Sequence, residues 1–367
     1  MRTRSLCLMT ALVTVTGVIP ALAQGTFTGL GTENTYVTGM SADGTVVVGV
    51  WGNLGPAWRW TAETGAVDIG SISQTAAVSR DGRTIVGTAK DAKGVGYAAT
   101  WQSGKQWVTL PPPPNSYVQD GKSTVGYSVS ADGSVIVGLA YLNASGAQTT
   151  ASSISVQGFR YDAKSGTVPL GTLKDSRSRA SVVSADGHVV AGWDDLYGKG
   201  PWYGVIWWDG LQRLMNPFNA VGQVEGANGS GSVLVGRGHP MAWTHAYRFT
   251  SWDSHVEDLG ALPRGQSGIG VGGPSEFEDT SIALAVSDDS TVVVGTSGYQ
   301  PPTDAFIWTP ATKIVKLSDY LTSKGITGHE RWTLVNAIAV SPDGKTIAGT
   351  GINNVAQRIE GYIARLP

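Results

Sequence analysis

Seven times along the chain a strand-like segment runs into Ser-x-Asp-Gly, or a close relative of it, and leaves through a Val-Val-Gly run. The copies end at Gly49, Gly87, Gly138, Gly192, Gly236, Gly295 and Gly349. First and last copies are separated by six steps with a mean period of about 50 residues, the range in which one repeat is one propeller blade. The repetition predicts an all-β fold: a seven-bladed β-propeller of four-stranded antiparallel blades, forming one circular domain.

Each copy has the same parts. An inner strand ends in the tight turn, and Asp-Gly between β-branched runs is a strong hairpin signal that predicts a primed turn with positive φ at its glycine. The return strand, such as Thr45-Val46-Val47-Val48-Gly49, is continuously apolar and therefore buried on both faces. A short aromatic strand follows, as in Ala57-Trp58-Arg59-Trp60 and Ala305-Phe306-Ile307-Trp308. Six copies then add an outer strand ending near Ile69-Gly70, Leu110, Leu170-Gly171, Leu214, Leu259-Gly260 and Leu317. The seventh lacks one, while an orphan copy, Thr26-Phe27-Thr28-Gly29-Leu30-Gly31, stands near the start. Exposed sheet edges invite aggregation and circular closure protects them, so the N-terminal strand is expected to complete the last blade.

Residues 1–23 read as a cleaved secretory signal: basic Arg2 and Arg4, an apolar run from Leu6 to Pro20, and Ala21-Leu22-Ala23 before the cut. Residues 24–367 are then one propeller domain. No stretch reaches the roughly 18 apolar residues that a membrane helix requires. Cys7, the only cysteine, leaves with the leader, so packing alone holds the mature fold in an oxidising compartment. Of 26 basic residues two lie in the leader, against 28 acidic ones. A mature charge of about −4 argues against general affinity for nucleic acid or anionic membranes. Glycine, at 50 of 367 residues, is concentrated at the ends and turns of the repeats, which marks it as turn chemistry.

The paired signature, Ala-x-x-Val-Ser-x-Asp-Gly-x-x-Val-Val-Gly followed by Ala-Phe-Ile-Trp at Ala305 to Trp308, resembles the HAF family of bacterial extracellular repeats. The likeness covers nearly all of the mature chain. It implies secretion and a propeller, and it carries no catalytic motif.

In a propeller the tight turns share one face, and the loops leading into and out of the inner hairpins share the other. Ligands bind among the variable loops. Here the loop face is rich, with Trp193, Asp194, Trp202 and Tyr203 in one copy and Arg237, His239, Trp243 and His245 in the next. Internal comparison singles out the fifth copy. Three residues before the aligned serine the others carry Thr38, Ala76, Tyr127, Ser181, Leu284 and Ile338, and this one carries Glu225. A carboxylate at an otherwise uncharged position needs a partner or a task, because desolvating a charge is costly. Two residues earlier stands a mostly polar ring that includes Tyr36, Arg179 and Gln223.

The candidate site is therefore Glu225 as general acid or base, with Asp194 or His239 as a second proton-transfer group. Arg179, Arg237, Gln223, Trp193, Trp202, Tyr203, Trp243 and Tyr36 are its substrate-binding set, the aromatics serving as stacking surfaces for sugar rings. The competing reading of Glu225 is an ion pair with Arg179 that only pins two blades together. His239 and His245 lack a third metal ligand at any recognisable spacing, and the acidic run Glu276, Glu278, Asp279 reads as a solvated loop, so neither metal nor cofactor is expected. These residues suit a secreted monomer that binds a polysaccharide. Cleavage would proceed by hydrolysis through two carboxylates, or by elimination through His239 or a tyrosine with an arginine neutralising a uronate. The alternative is a non-catalytic extracellular interaction scaffold.

Overall fold

Seven four-stranded antiparallel sheets follow one another around a ring, each with its inner strand at the axis. The computed structural model describes residues 24–367 apart from 53–54, 71–76, 103, 105, 144–153, 174–176, 196–201, 209–210, 216–220, 239–244, 251–254, 264–279 and 299–302. The leader assigned to 1–23 lies outside the described residues. Blade one comprises Thr35–Met40, Val47–Trp51, Ala57–Thr61 and Gly65–Gly70, and blades two to six repeat that order. Among the described residues there is one helix, Leu317–Ser323, which follows the outer strand of blade six and buries Leu317 and Leu321. No helix in the described chain is long and apolar enough to cross a membrane.

The turns explain the Ser-x-Asp-Gly motif. In six blades the serine hydroxyl donates to the aspartate at 2.5 to 2.7 Å. The serine oxygen accepts the N–H five residues on, as from Val46 at 3.0 Å and Thr346 at 2.8 Å. The aspartate accepts the N–H two residues on, as from Ser134 at 2.9 Å. The glycine N–H closes the turn onto the serine carbonyl, Gly44 to Ser41 at 3.0 Å. Only the fourth residue takes positive φ, +65° at Gly44 and +62° where Ser290 replaces glycine. A two-residue type I′ turn would require it at the aspartate too, so the primed turn expected from Asp-Gly is not formed. The aspartate side chain instead holds an ordinary turn that ends on a left-handed residue.

The second glycine of the repeat answers to crowding. In blades one and three to seven the inner strand carries a bulge three residues before the serine. In blade one Val37 pairs with Gly49 and Gly39 with Val48, leaving Thr38 unpaired. The same skip occurs at Tyr127, Ser181, Glu225, Leu284 and Ile338. A β-carbon on Gly49, Gly138, Gly192, Gly236, Gly295 or Gly349 would fall inside the carbonyl oxygen of Tyr36, Val125, Arg179, Gln223, Ile282 or Asn336 respectively. At Gly49, Gly138, Gly295 and Gly349 the other obstacle is the aromatic ring of the next strand, from Trp58, Phe159, Phe306 or Tyr362. Those four rings are fully buried. Only glycine admits both the bulge and the ring.

Neighbouring blades are stitched at a recurrent hydroxyl six residues before the serine. Thr124 accepts the Ala98 N–H, Ser178 that of Gly158, Ser281 that of Ala246, and Thr35 that of Gly361, at 2.7 to 3.1 Å. The last of these crosses from blade seven to blade one. Thr26–Glu33 pairs antiparallel with Arg358–Arg365 and becomes the outer strand of blade seven, beside Thr346–Asn353 and Trp332–Val340. Leu30 is buried in a core shared with Val37, Trp58 and Ile363. Phe27 stacks on Tyr362 at 5.4 Å and meets the edge of Trp332 at 5.3 Å. Buried Glu360 accepts the Gly31 N–H at 2.6 Å and the Arg358 Nε–H at 2.9 Å, so a carboxylate fastens the seam from inside.

On the turn face the x residues form an annulus. The N–H of Ala42 donates to Arg80 O, Arg80 to Ala131, Ala131 to Ala185, Ala185 to Gly229, and Asp288 to Pro342, at 2.8 to 3.2 Å. Between blades five and six the Gly229 N–H donates to the Asp288 carboxylate instead, and Pro342 has no N–H to pass on to blade one. The Arg80 guanidinium then reaches from blade two to Asp288 of blade six with two bonds of 2.7 and 2.5 Å. These blades are three steps apart in a ring of seven, so the bridge spans the axis and covers the turn-side end of the channel.

Two outcomes test this account. Deleting residues 24–33 should lower the melting temperature sharply, since Phe27 and Leu30 contribute about 1.5 to 3 kcal/mol each and the edge of blade seven is laid bare. A deletion variant that melts like the full chain would show the closure to be idle. Donors around the turn carboxylates hold Asp132 at about 2, through the Ser134 N–H first and then the Ser130 and Ser134 hydroxyls. Asp81, Asp289 and Asp343 are held low as well, first by the hydroxyls of Ser79, Ser287 and Ser341. A depressed folded pKa contributes stability above the unfolded value of about 3.9, and that contribution is lost as pH falls through the folded value. Melting temperature should therefore fall between about pH 4 and pH 2, with the fall flattened in a variant carrying Asn at these four positions.

Candidate functional site

Because the bulge leaves one inner-strand residue out of the ladder, it aims that side chain into the channel. In blade five that residue is Glu225, which the bulge sets among groups from blades three and four. Its carboxylate lies 3.7 Å from the Arg179 guanidinium and 4.0 Å from that of Arg237. Arg237 also donates to Gln223 Oε1, and Arg179 donates through Nε to Ser181 Oγ at 3.1 Å. Arg179 is sandwiched between rings, 5.1 Å from the centroid of Tyr127 on blade three and 5.6 Å from that of Trp193 on its own blade. Trp193 leans on Trp202 at 5.3 Å, and Trp202 is 45% exposed at the rim. Three blades thus contribute to one cluster of two cations, one carboxylate, a phenol and an indole pair.

The electrostatics follow from that crowding. Burial pushes the Glu225 carboxyl above its ordinary range, and Arg179 and then Arg237 pull against it. Burial lowers the Arg237 guanidinium, Glu225 opposes, and Arg179 adds to the lowering by repulsion. Burial likewise raises the Tyr127 hydroxyl. Both ion-pair distances exceed those of a tight charge-assisted hydrogen bond, so neither guanidinium is saturated by Glu225. Among the described residues two cations face one anion here, so the cluster holds guanidinium donors that Glu225 does not engage.

Of the residues proposed from sequence, the fold brings together Glu225, Arg179, Arg237, Gln223, Trp193 and Trp202. Asp194 is directed elsewhere. Strand alternation puts it on the face opposite Trp193, where it is fully buried and accepts the Leu173 N–H and the Gln212 amide, both at 2.8 Å. Tyr203 is the cross-strand partner of Asp194 and shares that face. Tyr36 is half-buried on blade one, opposite Val50. His239 and Trp243 lie outside the described residues, as do Glu276, Glu278 and Asp279. His245 faces Asp258 at 3.0 Å, and among the described residues no three His, Cys, Asp or Glu side chains gather as a metal site.

Tyr127 and Ser181 belong to the cluster although sequence reasoning left them out of the site. The available signal was positional, since both occupy the same offset from the serine as Glu225.

Below the cluster a cavity of about 220 Å³ continues down the axis. Its walls include Glu225, Thr38, Leu284 and Ile338, and its floor is Arg80 with Asp288.

No protein-family model matches the chain, and no curated protein matches it by sequence. Solved structures match it throughout its length. An oligogalacturonate lyase in complex with manganese aligns at TM-score 0.54 and 13% identity, over 93% of this chain and 93% of that one. The β-propeller domain of the Trilobed protease from Pyrococcus furiosus aligns at TM-score 0.54 and 11% identity, over 91% of this chain and 94% of that one. A GH74 xyloglucanase from Xanthomonas campestris aligns at TM-score 0.50 and 10% identity, over 92% of this chain and 55% of that one. At such identities the likeness establishes the propeller fold, and chemistry has to be argued from the cluster.

A raised folded pKa makes Glu225 stabilising below its unfolded value of about 4.3, and that contribution is lost as pH rises through the folded value. Glu225→Gln does not titrate. Paired thermal melts should therefore show the variant gaining on the wild type as pH rises above about 4, and a constant difference would remove the perturbed carboxyl.

Proposed function

We propose that this protein binds an acidic polysaccharide at the loop-side mouth of its channel, through Arg179 and Arg237, with Trp193 and Trp202 as a stacking surface. The observation that carries this reading is the convergence of two incompletely paired guanidiniums from adjacent blades beside an indole pair. Guanidinium forks match carboxylate geometry, and indole faces cover the C–H surface of a sugar ring. Two of the propellers similar in fold are named for glycan substrates, one of them an acidic oligosaccharide. Secretion, as expected from the leader at 1–23 and from the HAF resemblance, would bring such a polymer within reach, and the propeller would act as a monomer.

Hydrolysis through a Glu225 and Asp194 pair is disfavoured by the bonds that commit Asp194 to Leu173 and Gln212. If the protein cleaves, elimination is the better match, with the arginines neutralising a uronate carboxylate and Tyr127 as the proton-transfer group. In that case Glu225 acts as the positioning partner of both guanidiniums.

Binding to a panel of acidic and neutral polysaccharides, measured by calorimetry while absorbance from unsaturated products is followed, tests the proposal. Acidic members should bind, and Arg179→Ala or Arg237→Ala should weaken binding about ten- to hundredfold, the cost of losing a charged hydrogen bond. Unsaturated products abolished by Tyr127→Phe would add cleavage to binding. Failure of every acidic polysaccharide to bind, or unchanged affinity in both arginine variants, would overturn it and leave the interaction scaffold.

A further inference from the structure

The channel differs at its two ends, and that difference bears on which part of a polymer the cluster can receive. On the turn side the annulus of x residues narrows the ring, and the Arg80 to Asp288 bridge spans what is left. Above this floor the cavity measures about 220 Å³, below the roughly 300 to 1,000 Å³ of ordinary ligand pockets. Its upper wall is two-sided in chemistry. Glu225 and Thr38 offer polar atoms, whereas Leu284 and Ile338 are aliphatic. The binding groups are recessed: the side chains of Arg179 and Glu225 keep only 21% and 22% of their surface exposed, and that of Arg237 33%. Trp202, at the rim, keeps 45%.

We infer that the site takes the terminal ring of an acidic glycan, with its carboxylate against Arg179 and Arg237, and does not take an internal stretch of chain. This rests on the acidic-polysaccharide reading and narrows it. An internal residue is flanked by neighbours on both sides, so lowering its carboxylate to recessed guanidiniums would drag both neighbours into a space sized for one ring. The closed floor denies the polymer a path through the channel. A terminal ring has one neighbour, which can stay at the rim against Trp202 while the ring itself descends. There the hydroxyls meet Glu225 and Thr38, and the C–H face meets Leu284 and Ile338.

The decisive measurement holds mass constant and varies the number of ends. Polygalacturonate and alginate are titrated calorimetrically against the full protein, before and after partial depolymerisation, at equal uronate concentration. The inference expects binding sites per gram to rise in proportion to chain ends, about tenfold for a tenfold shortening, and the free uronate monosaccharide to compete. Site density that stays constant as the chains shorten means internal binding, which overturns this inference and leaves the acidic-polysaccharide reading standing. If neither polymer nor its fragments bind, both fall. Leu284→Trp, which fills the cavity below the cluster, should weaken fragment binding at least tenfold, and a folded variant with undiminished affinity would overturn the inference too. Should that variant not fold, the end-count titration of the wild-type protein decides alone.

Discussion

The close approach of an inner-strand carbonyl to the glycine of the Val-Val-Gly run, described in six blades, is the contact on which the rest of the molecule depends. At Gly192 the oxygen belongs to Arg179, and at Gly236 to Gln223. A side chain there would force the two strands apart and pull out the bulge. Without the bulge, the alternation of the strand would turn position 225 away from the channel. Glycine is thus what allows these six blades to present one side chain to the axis, and in four of them it also makes room for the aromatic ring that fills the core. One residue type serves both packing and the geometry of the site.

The two faces of the ring are organised on different grounds. On the turn side each blade repeats one self-contained hydrogen-bond set, and neighbouring turns pass an N–H to the next carbonyl. Side chains are absorbed by that set, which leaves the face little freedom to vary. The exceptions confirm the rule: where the backbone relay changes hands between Gly229 and Asp288, a side chain takes over, and the same Asp288 anchors Arg80 across the axis. Toward the loop side the described links between blades include side-chain hydroxyls accepting a neighbour's N–H, in four blades. The offsets of five and three residues before the serine differ from blade to blade and supply Arg179, Gln223, Glu225 and Tyr127, while Trp193 and Arg237 come from the residue that follows the glycine of the return strand. The fold separates a stabilising rim from a variable one, as scaffolds that carry function on their loops do.

Much of this was legible in the sequence because a repeat provides its own comparison. Period, blade count, strand order and the closing N-terminal strand all follow from aligning seven copies, and Glu225 stood out because six copies lack a carboxylate there. What remained hidden depends on geometry that a strand pattern does not encode. The bulge leaves no mark in the spacing, since the six copies in which it is described share it. The Asp-Gly pair suggested a primed turn, yet the serine hydroxyl and the aspartate carboxylate select another one. Asp194 looked like a neighbour of Trp193, but adjacent strand residues face opposite ways, and its carboxylate is spent on Leu173 and Gln212. Arg80 and Asp288 occupy the x position, where no residue preference was visible, and are 208 residues apart in the chain. Tyr127 stood in the right column and was passed over for want of charge.

In a ring of near-identical blades, symmetry itself argues about function. A side chain required only for packing recurs at its offset, as Trp58, Phe159, Phe306 and Tyr362 do, because each blade presents its neighbours with the same problem. Arg179, Glu225 and Arg237 do not recur. A pair that merely pinned blades four and five would need one cation for one anion at hydrogen-bonding distance. Instead two guanidiniums stand 3.7 and 4.0 Å from a single carboxylate, one of them held between aromatic rings. Burying an extra cation is unfavourable, and packing offers no compensation for it that a neutral residue would not offer better. Among the described residues that surplus charge has no second carboxylate beside it, and it is the ground on which we propose an anion from outside the chain as its partner.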